Sequence, residues 1–206
     1  IQSTDLAPTT LLLSEWGCTS AREILEELPF VDPPPEDALE KAYRMLVDLG
    51  ALEVYKLPND RRRRRYKVTS HGSDVARLAT HPRFGTSIIK ASEMGDASLA
   101  AAVTAAALIG EELVAGRESN LALGVRDVLK GGERSYNGKR LLIFASRVST
   151  EARSAVSRAL AGDLAPADVS DRAGAALLPG FLDLVAQRAG DASYGGSTYK
   201  LSLGRS

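Results

Sequence analysis

PFVDPPPEDALEKAYRMLVDLGALEVYKLPNDRRRRRYKVTS, residues Pro29 to Ser70, reads in three successive ways, and their order sets the fold. Pro33, Pro34 and Pro35 remove backbone donors and hold the chain extended, and Pro35 can open the next helix at its first turn. In EDALEKAYRMLVDLG the residues Leu39, Ala42, Tyr43, Leu46 and Leu49 share one helical face, and Gly50 suits the C-cap. ALEVYKL and RYKVTS follow, separated by the turn formers Pro58, Asn59 and Asp60, which predicts a hairpin. Upstream, TTLLLSEWG and SAREILEEL carry apolar residues at helical spacing, with Thr19 or Ser20 as the N-cap. Helix, helix, helix, hairpin is the order of a winged helix, expected over residues 1–70.

Residues 71–165 read as helical throughout. DVARLA, FGTSIIKASEM, ASLAAAVTAAALI, SNLALGVRDVLK and RLLIFASRVSTEARSAVSRAL are each bounded by Gly, Pro, Asp or Ser. Alanine at many positions lets helices approach closely at little cost in propensity, so a bundle is expected. DRAGAALLPGFLDLVAQRA then predicts a last helix kinked at Pro179–Gly180. STYKLSLG predicts a strand whose partners lie beyond Ser206. The fold class is therefore mainly α: a winged helix, then a helical bundle, ending in a short strand.

Composition narrows the functions. The 206 residues carry 26 basic and 26 acidic side chains, so no global field announces a nucleic-acid or membrane partner, and such binding must come from local clusters. One cysteine, Cys18, can form no internal disulfide, and no charged-then-apolar leader opens the chain, which points to a reducing, cytoplasmic setting. The longest apolar run, Leu99 to Ile109, covers about half the length a membrane span needs, so no membrane partner is expected. A first residue other than Met and a stop just after a strand-like segment are what a piece of a longer chain would have.

Two phrases carry a resemblance. LPFVDPPPEDALEKAYRMLVDLGALE, Leu28 to Glu53, resembles the winged-helix signature of DEAH-box helicases, a proline-rich loop before a helix ending in Leu-Gly-Ala-Leu. VTSHGSDVARLATHPRFGTSII, Val68 to Ile89, is similar to that family's Leu-Thr-x-x-Gly phrase, short helix and His-Pro-Arg step. GAALLPGFLDLVAQRAG, Gly174 to Gly190, is similar to the bacterial HrpB-type subgroup, in which a Tyr-Pro-Asp-Arg-Ile-Ala phrase precedes a Gly-rich hairpin. Val68 stands for the usual Leu, Ala79 for a Pro, and FLDLVA for YPDRIA, so Phe181 keeps the aromatic and Asp183 the acid while Leu184 replaces the basic residue. The resemblance implies a winged helix over 1–70, a helical ratchet domain over 71–190 and the start of an OB-like β segment over 191–206. It also implies RecA-like domains elsewhere in the parent chain, which would use ATP and Mg²⁺, and single-stranded RNA or DNA as partner.

The remaining motifs are weighed on their chemistry. GGERSYNGKR, Gly131 to Arg140, has five residues between Gly132 and Gly138 and Arg140 where a phosphate loop needs Ser or Thr, so it reads as a surface loop and no ATPase site is expected here. His71 and His81 lack the further ligands a metal site needs and are expected to be structural. Trp16 and Tyr43, on apolar helix faces, are expected in the core. Cys18 and the serines have no partner that would make a nucleophile, so no catalytic residue is expected. The run Arg61, Arg62, Arg63, Arg64 and Arg65 is either a solvated hairpin tip or a phosphate-contacting wing, and its place at a wing favours contact. Arg83 either pairs with a neighbour or faces nucleic acid. Lys90, and less strongly Arg117, Arg126 and Lys130, complete the candidate nucleic-acid residues.

The expected function is non-catalytic grip on single-stranded nucleic acid within an ATP-driven helicase, through backbone rather than base contacts. The alternative is a winged-helix transcription regulator with a helical dimerisation domain. A duplex reader needs basic or amide side chains on its third helix. That helix carries Glu36, Asp37, Glu40 and Asp48 against Lys41 and Arg44. A third possibility, a helical interaction scaffold, leaves the hairpin arginines unexplained.

Overall fold

The computed structural model describes residues 5–57, 60–110, 112–113, 120–191 and 197–201, with backbone alone for 57, 60–63, 187–191 and 197–201. The chain is mainly helical. Three helices, α1 (Ala7–Glu15), α2 (Ala21–Glu27) and α3 (Glu36–Asp48), lead into the antiparallel strands β1 (Leu52–Leu57) and β2 (Asp60–Val68). Pro58 and Asn59 of the expected turn lie outside the described residues. Ser20, in extended conformation, is the N-cap of α2: its hydroxyl accepts from Glu23 N–H at 3.2 Å.

Leu39, Ala42, Tyr43 and Leu46 of α3 are buried, as their spacing requires, against Leu11, Ile24 and Leu52. Tyr43 stacks on Tyr66 of β2, with centroids 4.3 Å apart and planes 14° from parallel. The N–H of Tyr66 donates to Thr19 O at 2.8 Å, so the α1–α2 link closes part of the free edge of β2. Trp16 departs from expectation: it is 82% exposed at the C-cap of α1. The buried residues of α1 are Ala7, Thr10, Leu11, Leu13 and Ser14, and position 16 falls one turn beyond exposed Leu12.

The segment Val68–Gly95 joins this cluster to the next. Thr69 caps α4 (Ser70–Arg77): its Oγ1 accepts from Gly72 N–H at 2.9 Å and donates to Gly50 O at 2.7 Å. A Cβ on Gly72 would stand 2.0 Å from Ala51 O, so only glycine lets α4 start this close to β1. His81 caps α5 (Pro82–Glu93), its Nδ1 accepting from Arg83 N–H at 3.2 Å, with Pro82 in the first turn.

The second cluster is built on α6 (Asp96–Ile109), whose residues Ser98 to Ala107 are all buried. A helix apolar on every side belongs at the centre of a bundle. Around it pack α5, α7 (Leu121–Lys130), α8 (Tyr136–Val148), α9 (Thr150–Ala161), α10 (Pro166–Asp171) and α11 (Ala173–Leu177). The run Arg140–Leu160, which reads as one helical segment, is broken at Ser149. The backbone there is extended, and the Ser149 hydroxyl accepts from Ala152 N–H at 3.0 Å to start α9.

The expected last helix is also shorter than its sequence suggests. After Leu177 the chain makes two 3₁₀ turns, Leu178–Gly180 and Leu182–Leu184, and Ala186–Asp191 is strand β3. Pro179 cannot supply an interior helical N–H, and Phe181 turns inward onto Phe84, with centroids 5.6 Å apart. Leu182 and Leu184 stay exposed, so the leucine spacing serves no helical face. Strand β4 (Ser197–Leu201) pairs antiparallel with β3, Ala186 opposite Leu201, so it has a partner earlier in the chain, where one was expected only beyond Ser206. No described helix is long and apolar enough to cross a membrane.

Candidate nucleic-acid interface

The five wing arginines lie on one strand but differ in environment. Arg64 is exposed, and the side chains of Arg61, Arg62 and Arg63 lie outside those described. Arg65 is an anchor. Its Nη1 donates to Thr19 Oγ1 at 2.6 Å and Glu23 Oε2 at 3.2 Å, and that carboxylate also accepts from the Thr19 N–H and hydroxyl, both at 2.7 Å. Burial works to raise the Glu23 carboxyl, but the Thr19 bonds and the Arg65 charge outweigh it and hold the group below its usual range. The base of the wing is thereby tied to the start of α2. Beside it lies a cleft of about 530 Å³ lined by Glu23, Glu26, Glu36 and Glu40 as well as Arg44, Arg64 and Arg65.

Arg83 pairs with a neighbour. Its Nη1 and Nη2 meet Asp183 Oδ1 and Oδ2 at 2.6 and 2.7 Å, and Nη1 also donates to Gly180 O at 2.9 Å. The guanidinium lies 5.5 Å from the Phe181 ring centroid. Ser87, one turn along α5, donates its hydroxyl to Leu177 O at 2.9 Å and accepts from Gly180 N–H at 3.2 Å. A Cβ on Gly180 would meet Arg83 O at 2.0 Å. The His-Pro-Arg step and the LPGFLD turn are thus one locked contact, with Arg83 protonation reinforced by Asp183.

The other candidates are scattered. Lys90 pairs with Glu93 at 3.0 Å on the surface. Arg126 is half-buried, and its Nε has no hydrogen-bond partner among the described residues. Lys130 is exposed in the last turn of α7, and Arg117 lies outside the described residues. The two histidines hold elements together: His71 Nε2 is 3.2 Å from Thr86 Oγ1, and His81 Nε2 is 3.1 Å from Asp5 Oδ2.

Of GGERSYNGKR, expected as a surface loop, residues 131–135 connect α7 to α8 and residues 136–140 are the first turns of α8. Ser135 caps α8, accepting from Gly138 N–H at 2.9 Å and donating to Gly132 O at 2.8 Å. The Gly138 N–H that a phosphate loop would aim at its ligand is therefore engaged, a helix rather than a strand leads in, and Lys139 and Arg140 lie within α8. These residues do not fit ATP or its Mg²⁺.

Helix α8 presents a basic face that lies outside the sequence candidates. Arg140 and Arg147 of α8 both reach Glu112 Oε2, at 3.6 and 3.1 Å, and Arg140 Nε also donates to Glu112 O. The signal was available: Tyr136–Val148 contains no acidic residue.

No protein-family model matches the chain, and no curated protein matches it at a significant level. Solved structures do. A crystal structure of the Escherichia coli DEAH/RHA helicase HrpB is 22% identical and superposes with a TM-score of 0.56, over 98% of this chain and 21% of that one. A crystal structure of the E. coli DExH-box NTPase HrpB is also 22% identical, with a TM-score of 0.55 over 98% of this chain and 20% of its own length. The chain therefore spans about a fifth of these neighbours and shares the fold of that portion.

Proposed function

We propose that this chain is an accessory region of an HrpB-type DEAH-box helicase that grips single-stranded RNA or DNA while RecA-like domains of the same parent hydrolyse ATP with Mg²⁺. The observation that carries this reading is the likeness of winged helix, bundle and terminal hairpin, over 98% of the chain, to one portion of the HrpB structures. The two sequence phrases that resemble DEAH-box signatures coincide with α3 and with the α4–α5 junction of that shared fold. The division into 1–70, 71–190 and 191–206 belongs to the same reading.

The wing is assigned the phosphate contact, through Arg61 to Arg64, with Arg65 as its tether and Arg83 as a structural clamp. Such contact releases counterions, and for single strands each phosphate contact adds about 0.7 to the slope of log affinity against log salt. Binding of the 206-residue chain to a single-stranded oligoribonucleotide, titrated across salt, tests the idea. Replacing Arg61 to Arg64 by alanine, with Arg65 retained so that α2 stays anchored, should lower that slope. An unchanged slope removes the wing from the interface. The duplex-reading alternative is disfavoured by exposed Glu36, Asp37 and Asp48 on α3, which would meet duplex phosphates with like charge.

A further inference from the structure

We propose that the outward face of α8 is a second contact for single-stranded nucleic acid, in which the Tyr136 ring stacks on a base and Arg140 and Arg147 hold backbone phosphates. It rests on the nucleic-acid reading above and adds a site to it. Positions 136, 140, 143 and 147 recur at steps of four, three and four, so they share one face of α8. Leu141, Phe144, Ala145 and Val148 supply the buried face, and the core has no need of the other. Tyr136 is nonetheless 64% exposed and Ile143 61% exposed.

The cations on this face are already ordered. The Arg140 guanidinium lies 5.7 Å from the Tyr136 centroid, and that of Arg147 lies 5.7 Å from the Phe144 centroid. Glu112 bridges the two arginines. Among the described residues, one carboxylate between two guanidiniums leaves the face net positive, and it fixes side chains whose freedom would otherwise be lost on binding. Tyrosine is a stiff ring that presents a large surface at small entropic cost. An exposed ring flanked by cations on an acid-free helix matches a polyanion whose every unit carries a flat base. A merely acidic protein surface would use the arginines and leave the ring idle.

The test is fluorescence anisotropy of a labelled single-stranded oligouridylate with the 206-residue chain across salt. Tyr136→Ala should weaken binding roughly five- to 150-fold, the range of one base–aromatic stack, and Tyr136→Phe should retain most of the affinity. Arg147→Ala should lower the salt slope by about 0.7. Circular-dichroism melts of these variants should match the parent, because the changed atoms lie outside the core. A Tyr136→Ala effect within about twofold overturns the site, and so does an equal loss with Tyr136→Phe. If the wing variant abolishes binding while the α8 variants bind normally, this site falls and the broader reading stands. If the α8 variants weaken binding while the wing variant does not, the site stands and the wing assignment falls. A chain that binds no oligouridylate overturns both.

Discussion

Removing Asp183 should uncouple the two ends of the helical unit, because its carboxylate holds both arms of Arg83 at 2.6 and 2.7 Å. The side chains are 16% and 29% exposed, so the pair lies between two limits. Surface pairs contribute about 0–1 kcal/mol, and breaking a fully buried pair costs about 3–5 kcal/mol. Arg83 would keep its bond to Gly180 O, which softens the loss. Asp183→Ala should therefore destabilise by about 2 kcal/mol, or roughly 4–8 °C in Tm for a chain of this size. A double-mutant cycle with Arg83→Ala isolates the pair, and the coupling should come close to 2 kcal/mol, within the range for hydrogen bonds to charged groups. Urea unfolding followed by far-ultraviolet circular dichroism is the suitable assay, since the one tryptophan is 82% exposed and reports little of the core. A coupling below about 0.5 kcal/mol, the usual error of additivity, would refute the clamp. So would a lowered salt slope for oligoribonucleotide binding by Arg83→Ala, which would put that guanidinium on a phosphate.

Two further perturbations probe the junction. Gly72→Ala forces a Cβ to within 2.0 Å of Ala51 O, a backbone atom that cannot swing aside, and should cost at least about 1–3 kcal/mol in urea unfolding; near-neutral behaviour would show that α4 does not start so close to β1. Burial, with Lys90 nearby, holds the His71 imidazole below its usual value, so protonation favours the unfolded chain. The stabilising contribution is then complete above about pH 6.5 and is lost as pH falls below it toward the lowered folded value. His71→Gln should flatten stability between about pH 7.5 and 5.5 relative to the parent, and parallel curves for the two proteins would count against the burial argument.

The winged helix was legible because its signals are local: three prolines, a single apolar stripe ending at Gly50, and strand-like segments either side of a turn. The elements that differ from expectation are those whose outcome depends on partners remote in sequence. Trp16 follows an apolar helix, yet the face that packs is set by Leu39, Tyr43 and Val75, and position 16 is turned away from them. FLDLVA has helical spacing, but Arg83 and Ser87, nearly a hundred residues earlier, capture Gly180 and Asp183 and hold the segment as two 3₁₀ turns. Arg83 itself was ambiguous for the same reason. Nothing near it in sequence names its carboxylate, and only the fold brings Asp183 within reach.

A net charge of zero conceals a separation that the fold turns into geometry. Helices α2 and α3 carry Glu23, Glu26, Glu27, Glu36, Asp37, Glu40 and Asp48 against Arg22, Lys41 and Arg44. Helices α8 and α9 carry Lys139, Arg140, Arg147, Arg153 and Arg158 against Glu151 alone. A polyanion approaching the winged helix from its third helix would be repelled, whereas one meeting the wing arginines and the α8 face would be attracted at both ends. Partnered cations sharpen that asymmetry. Arg65 and Arg83 are turned inward by Glu23 and Asp183, so they fix elements instead of recruiting a ligand. Among the described residues, Arg140 and Arg147 share a single carboxylate and retain net positive charge beside an exposed ring. Under the proposed function, the wing tip and α8 are the two places where a strand would be recruited. An interface built from these two patches would grip a flexible single strand through phosphates and stacking without reading its sequence.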